Sequence, residues 1–347
     1  MSNRNTTDVL ARPPASSAPV RVIAGLVRSR EIAVLTVLLL LIVVTTVKSH
    51  PFLLSSTGWR DLLLTPSLLL VLAVGQTVVI ITRNVDLSVG SVLGLSAYFA
   101  GRLFIDHPGI PVPLVFVACV LFGAALGLVN GLLVAWGRVP ALVITLGTLY
   151  IYRGIFLTWA GSNRINASDL PAGFLKLGTQ QVLSIPVLTI IAAVVLVVVG
   201  YVLHTARSGR ELYAIGSDPE AADLYGLKVG RRVIAAFVVS GALAGLAGVV
   251  YDARYGTVSS GAGSNLELQA VGAAVIGGVA IFGGSGTVWG AAIGGFLLVT
   301  INRALPVVGI SDFWQQAVVG ALILAAIVLD RVLTRRQERR LVAARDS

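Results

Sequence analysis

The sequence predicts an all-α membrane protein of about ten transmembrane helices, some broken or short, with one further short helix on the cytoplasmic face. Of its 347 residues, 56% are hydrophobic and only 12% charged, and the mean hydropathy is +0.89. Soluble domains carry roughly 25% charged residues, and no water-soluble fold hides so much apolar surface. Stretches such as 31–47, 183–203 and 233–251 reach or approach the ~20 apolar residues needed to cross a ~30 Å hydrocarbon core. The basic residues, finally, fall unevenly between the two sides that such stretches define.

Taken in order, residues 1–30 are polar and carry Arg4, Arg12, Arg21, Arg28 and Arg30, which reads as a disordered tail. No small-x-small cleavage site follows the first apolar run, so that run reads as a retained helix. Hydropathy and its breaks place helices at 32–47, 61–82, 87–104, 111–136, 139–160, 183–203, 232–252, 267–283, 286–303 and 312–330. The membrane domain is thus 31–330, and 331–347 forms a second, basic tail. An even number of spans returns both termini to one side. That side receives both tails, Arg83, Arg138 and the 204–232 loop, which together hold 18 of the 26 basic residues. The positive-inside rule assigns it to the cytoplasm. The net charge of +10 therefore reads as topology signal and contact with the lipid bilayer, not as a nucleic-acid surface.

Several function classes fall away at this point. Cys119 is the single cysteine, and inside an apolar run it reads as a small buried side chain. One cysteine allows neither an intrachain disulfide nor a cysteine metal cluster. His50, His107 and His204 sit at loop edges without metal-ligand or nucleophile spacing, so neither catalytic nor metal residues are expected. No Gly-x-x-x-x-Gly-Lys-Ser/Thr phosphate loop occurs. A weak internal echo superposes 81–101 on 275–295, matching Val85 with Val279, Gly90 with Gly284 and Ser91 with Ser285. Both segments are apolar runs interrupted by a polar, glycine-bearing break, the pattern that structural repeats produce at a central solute path.

The polar residues near or within these runs are the candidate site. Asn84, Asp86, Ser88 and Gly90 lie between two apolar runs. A carboxylate at membrane depth costs at least ~2.5 kcal/mol at a helix centre. Asp86 therefore requires a partner, a water-filled cavity or a helix end. Two readings stay open: a cap for the helix beginning at Leu87, or a group that gates or lines a solute path. Asn130, Thr145 and Thr148 interrupt otherwise apolar helices. They either let helices pack closely and bond across, or line a conduit whose weak hydrogen bonds suit a neutral polyhydroxylated solute. Glu267 opens a run that ends in the glycine-dense 277–286 segment; it caps the external end of its helix or belongs to the same path.

The longest polar insertion is 205–227. Asp218 fits an N-cap, Pro219 the first helical position and Gly226 the stop, giving a helix of about two turns that is too short and polar to span. Leu224, Tyr225 and Leu227 offer apolar contact for a soluble partner.

Glu220-Ala221-Ala222 followed by Gly226 resembles the core of the coupling helix in importer permeases of the ATP-binding-cassette class. The segments 84–91, 138–154 and 267–286 look like the ribose-type monosaccharide permease family, close to its rhamnose and autoinducer-2 branches. The resemblance covers nearly all of the chain beyond residue 30, and it departs from the commonest pattern where Arg83-Asn84 replace a pair of glycines. It implies a transport subunit, not an enzyme, in the bacterial plasma membrane, with both termini cytoplasmic. It also implies a second permease copy or a related permease, an ATP-hydrolysing cassette subunit docked on Asp218, Pro219, Glu220, Ala221, Ala222 and Gly226, and an extracytoplasmic solute-binding protein. No cofactor is implied for this chain, ATP and magnesium belonging to the partner. The alternative is an ion-coupled secondary sugar carrier. Such carriers keep ionisable residues deep in their spans, whereas this segmentation puts Asp86, Glu267 and Arg153 near helix ends or off the midplane.

Overall fold

The computed structural model describes residues 30–322 except 138, together with 324, 325 and 328. Apart from Arg30, the tails expected at 1–30 and 331–347 lie outside the described residues, as does part of the last expected helix, of which 315–322 are helical. Membrane-length helices in chain order are α1 (Arg30–Lys48), α3 (Ser56–Ile80), α4 (Val89–Asp106), α5 (Val112–Gly137), α6 (Ala141–Ala160), α8 (Val187–Thr205), α11 (Val229–Tyr255) and α13 (Val288–Val307). Shorter ones are α2 (Pro51–Leu54), α7 (Ala172–Thr179), α9 (Arg207–Ser217), α10 (Pro219–Leu224) and α12 (Leu266–Ile276). The two strands, β1 (Gln181–Val182) and β2 (Ile185–Pro186), form a minimal hairpin.

Helices α3, α13 and α11 are the most buried of the long apolar helices. Their apolar windows are 89%, 67% and 61% buried, against 11% for α1 and 22% for α5 and α8. Outward faces of α1, α5, α6 and α8 expose Leu40, Val43, Leu121, Val143, Ile151 and Val197. In water that surface would aggregate; in hydrocarbon it costs nothing, and the helices satisfy their own backbone groups. Helix α11 crosses α5 at backbone distance: a Cβ on Gly123 would lie 2.2 Å from the Gly241 carbonyl oxygen, and one on Gly241 2.3 Å from that of Gly123. Small residues at both positions are what permit this contact, since without a hydrophobic drive in lipid, close van der Waals packing holds helices together.

Seven of these helices are long and apolar enough to cross a bilayer, among the described residues. The expected helix at 267–283 is corrected: α12 stops at Ile276, and 11 residues rise only about 16 Å, roughly half the hydrocarbon thickness. Residues 277–287 then run as a loop, because Gly278, Gly283, Gly284 and Gly286 take positive φ. The span expected from 183 begins instead at Val187, residues 181–186 being spent on the hairpin with Leu183 and Ser184 at positive φ. The polar insertion holds two helices, not one, because α9 precedes α10.

We call the end of the bundle that carries α9 and α10 the knob end. At the other end Phe174 of α7 is fully buried against Phe104 and Phe116, and Ile165 bridges to Val258.

Candidate functional site

Between α3 and α4 the chain turns back into the bundle instead of crossing to its surface. Asp86 is 1% exposed. Its Oδ1 accepts hydrogen bonds from the Ser88 backbone N–H (3.0 Å) and Ser88 Oγ (2.7 Å), and its Oδ2 accepts from Ser240 Oγ (3.1 Å). Ser240 lies near the middle of α11, so this carboxylate sits deep in the membrane domain, against the boundary position expected for it. The first residue of α4 is Val89, and its N-cap is Ser88, so Asp86 closes an Asx-type turn ahead of the helix and does not itself occupy the cap position. The Gln76 side chain of α3 holds the same residue by its backbone, donating from Nε2 to the Asp86 carbonyl and accepting at Oε1 from its N–H (3.4 Å).

The network continues through two more helices, α5 and α6. Asn130 Nδ2 of α5 donates to Ser88 Oγ at 2.7 Å, and Tyr152 OH of α6 donates to the Leu126 carbonyl at 2.9 Å. Thr145 Oγ1 donates to the Val85 carbonyl at 3.0 Å, and Thr148 Oγ1 to the Thr145 carbonyl at 3.3 Å. Asn130, Thr145 and Thr148 are all buried. In this arrangement their hydroxyl and amide groups tie α5 and α6 to the re-entrant loop, and the side chains that the sequence offered as conduit lining are turned inward. Low local dielectric strengthens a fully satisfied network of this kind and makes any orphaned member costly.

Asn84 stands at the mouth of this loop. It lines a cleft of about 540 Å³ with Arg83, Val134, Pro140, Ile215 and Pro219, open at the knob end, and its Nδ2 donates to the Thr82 carbonyl at 2.8 Å. Gly90 lies against Glu267 and Gly263, the latter in the segment that leads into α12. Glu267 sits in the first turn of that helix, with Asn265 as the N-cap residue, and its Oε2 has no hydrogen-bond partner. Arg153 donates to the Ala262 carbonyl at 2.7 Å. Asn84, Asp86, Ser88, Gly90, Asn130, Thr145, Thr148 and Glu267 are thus gathered around one re-entrant loop and its contact with a second.

The knob itself is α10. Asp218 Oδ1 accepts from the N–H groups of Glu220 (3.1 Å) and Ala221 (3.0 Å), Pro219 is the first helical residue, and Gly226 takes φ +81. Ala222 is buried, whereas Leu224 and Tyr225 are each 88% exposed. Two adjacent apolar side chains thus stand bare on the outer side of this short helix. Helix α9 fixes this knob to the bundle: Glu211 accepts from Arg232 of α11 at 2.5 Å and from Arg207 at 2.8 Å. The hydrogen bond from Arg232, aided by Arg207, holds the Glu211 carboxyl below its ordinary value.

Sequence reasoning passes over three buried polar residues. Gln76 and Ser240 lie within apolar helices, although a lone glutamine within a run of leucine and valine is a signal in its own right. Asp252, near the far end of α11, is fully buried with both carboxylate oxygens lacking hydrogen-bond partners.

Residues 60–327 match the family model described as "Branched-chain amino acid transport system / permease component". The chain is 36% identical over 274 residues to an Escherichia coli (strain K12 / DH10B) protein named autoinducer 2 import system permease protein LsrC, covering 79% of each chain. It is 35% identical to the protein of that name from Escherichia coli O157:H7, covering 87% of each. With the one from Salmonella choleraesuis the identity is 36% over 76% of this chain and 75% of the relative. No solved structure matches.

Proposed function

Because the chain belongs to the branched-chain amino acid transport system permease family, on its autoinducer-2 branch, and so is the permease subunit of an ATP-binding-cassette importer, we propose that it carries autoinducer-2 or a related monosaccharide inward. In this reading it is driven by a separate ATP-hydrolysing subunit that uses ATP and magnesium. The single observation that carries the coupling part of this reading is α10, a capped six-residue helix with Leu224 and Tyr225 bare to water. The ATPase subunit covers them. Its closure pushes on α10, and α9 passes the movement to the membrane domain. An extracytoplasmic binding protein delivers the solute at the opposite end, and a second permease, identical or related, completes the path. The knob end is then cytoplasmic, in keeping with the basic residues gathered there.

Solute passage depends on Asn84, Asp86, Ser88, Gly90, Asn130, Thr145, Thr148 and Glu267 as the packed core of a gate. The re-entrant loop they hold must shift for the path to open, and a shift exposes hydroxyl and amide groups to which a polyhydroxylated solute binds weakly enough to leave. Asp252 is the specific observation that favours the ion-coupled carrier, since an unpaired buried acid is what proton coupling uses. Uptake of labelled autoinducer-2 into vesicles holding this chain, its ATPase and its binding protein tests the proposal, with ribose and rhamnose as competitors. Strong competition by a pentose or deoxyhexose and none by autoinducer-2 would move the substrate to the sugar, and no uptake of any of them would sink the assignment.

A further inference from the structure

Two non-helical breaks of the membrane domain, at 81–88 and 277–287, meet at one place, the C-terminus of α9. The Ile81 carbonyl at the start of the first break accepts from the Gly284 N–H of the second at 2.9 Å. Gly216 of α9 packs so tightly into that junction that a Cβ on it would lie 1.7 Å from the Ile81 oxygen and 2.5 Å from the Gly284 nitrogen. Across the junction reaches Arg83: its Nε donates to the Gly216 carbonyl at 2.5 Å and its Nη2 to the Ser217 carbonyl. A Cβ on Gly283 would meet the Arg83 Cγ at 2.5 Å. Tyr213 OH, one turn earlier on α9, donates to the Gly286 carbonyl at 2.8 Å.

The two carbonyls that Arg83 takes are among the last of α9, which have no partners within a helix. A guanidinium is suited to them because its planar fork presents two donors at fixed spacing and favours the negative end of the helix dipole. The backbone at Arg83 adopts φ +62, a left-handed conformation that is strained for a non-glycine residue and persists where the surroundings enforce it. Ser217 is followed directly by the Asp218 cap of α10. Three residues after Arg83 comes Asp86, locked to α11 through Ser240. No other side chain among the described residues bonds the Gly216 and Ser217 carbonyls.

We propose that Arg83 is the positioning residue that transmits movement of α10 to the re-entrant loop holding Asp86, by gripping the end of α9 with its guanidinium. The proposal rests on the importer reading above. A displacement of α10 carries the Gly216 and Ser217 carbonyls with it, and the Arg83 fork draws the 81–88 loop along. The Ile81–Gly284 bond and the Tyr213–Gly286 bond take the second loop in the same direction, so both breaks move as one unit.

The test is the number of autoinducer-2 molecules taken up per ATP hydrolysed, in proteoliposomes of the full complex with its ATPase and binding protein. If the unaltered complex shows no ATP-driven uptake, the importer reading fails before Arg83 is addressed. Given that uptake, Arg83→Gln is expected to hydrolyse ATP at about the unaltered rate while transporting about tenfold less per ATP, within the span typical of coupling between sites. Arg83→Lys, which keeps the charge but reaches the two carbonyls without a fixed fork, falls between. An unchanged ratio in Arg83→Gln overturns the proposal, as does a parallel fall of hydrolysis and uptake, which marks a merely structural role. Should Arg83→Gln fail to insert, Arg83→Lys carries the test alone, and an unaltered ratio in it has the same force.

Discussion

Asp86 shows how a residue that looks expensive becomes structural. Its carboxylate accepts three hydrogen bonds, from the Ser88 N–H, Ser88 Oγ and Ser240 Oγ, and Gln76 grips its backbone. Asp86→Asn replaces one accepting oxygen with a donating NH₂, so the serine group that donated there must either turn to accept from it or lose its partner. We expect it to lose about 1–3 kcal/mol of stability, read as a lower thermal midpoint in detergent, whereas Ser240→Ala costs about 1 kcal/mol. A midpoint in Asp86→Asn equal to that of the unaltered chain would show the network to be slack. Burial also separates two classes of site residue. In a Cys119→Ala background, Thr145→Cys and Thr148→Cys are expected to resist small hydrophilic thiol reagents at rest, while Asn84→Cys, in the cleft at the knob end, reacts. Rapid labelling at 145 and 148 would restore the open hydroxyl-lined conduit. The sequence marked Asp86, Ser88, Asn130 and Thr145 as one polar set among apolar residues, because membrane burial makes every such group conspicuous. It hid their partners: whether a side chain lines water or bonds a neighbour depends on helix rotation, which composition does not encode.

Among elements, the long helices were legible and the breaks between them less so. Each span must carry its own run of apolar residues whatever it packs against, so α1, α5 and α11 stand near their expected bounds. Helix α9 escaped notice because it is polar and amphipathic outside the bilayer, where hydropathy gives no contrast. It was recognised only as loop leading to α10. The depth of the 81–88 loop and the early end of α12 follow from tertiary contacts and from glycines at positive φ, neither visible in a hydropathy run. Two outcomes belong to this scale. Glu211 ties α9 to α11 through Arg232, and its carboxyl is held below its ordinary value by that hydrogen bond. A lowered folded-state pKa contributes stability above the unfolded value, about 4.3, and loses it as pH falls through the folded one. The thermal midpoint of the unaltered chain should therefore exceed that of Glu211→Gln at neutral pH, with the gap closing below about pH 4; a gap that persists in acid would point to packing instead. Gly226→Val at φ +81 is expected to cost about 1–3 kcal/mol locally and, with Glu220→Ala, to lower uptake per ATP while leaving the protein inserted. Normal uptake in both variants would remove α10 from the coupling path.

At the scale of the molecule, lipid-facing helices surround the more buried α3, α11 and α13, and two chain breaks meet at the root of the knob. The faint echo between 81–101 and 275–295 has a local counterpart, since each segment is a loop that leads into a long helix, α4 and α13, and the two loops touch through Ile81 and Gly284. A membrane domain built in this way can be driven from one end by a soluble engine when the acid at its centre, Asp86, is tied up in hydrogen bonds, and Asp252, buried without partners, is the residue that argues for ion coupling instead. The measurement that decides between them is autoinducer-2 uptake by the full complex in sealed vesicles, with and without internal ATP, in the presence of a protonophore, for the unaltered chain and for Asp252→Asn. An ATP-driven importer predicts uptake that requires ATP, survives the protonophore and persists in Asp252→Asn; uptake that proceeds without ATP and collapses with the ion gradient would contradict it.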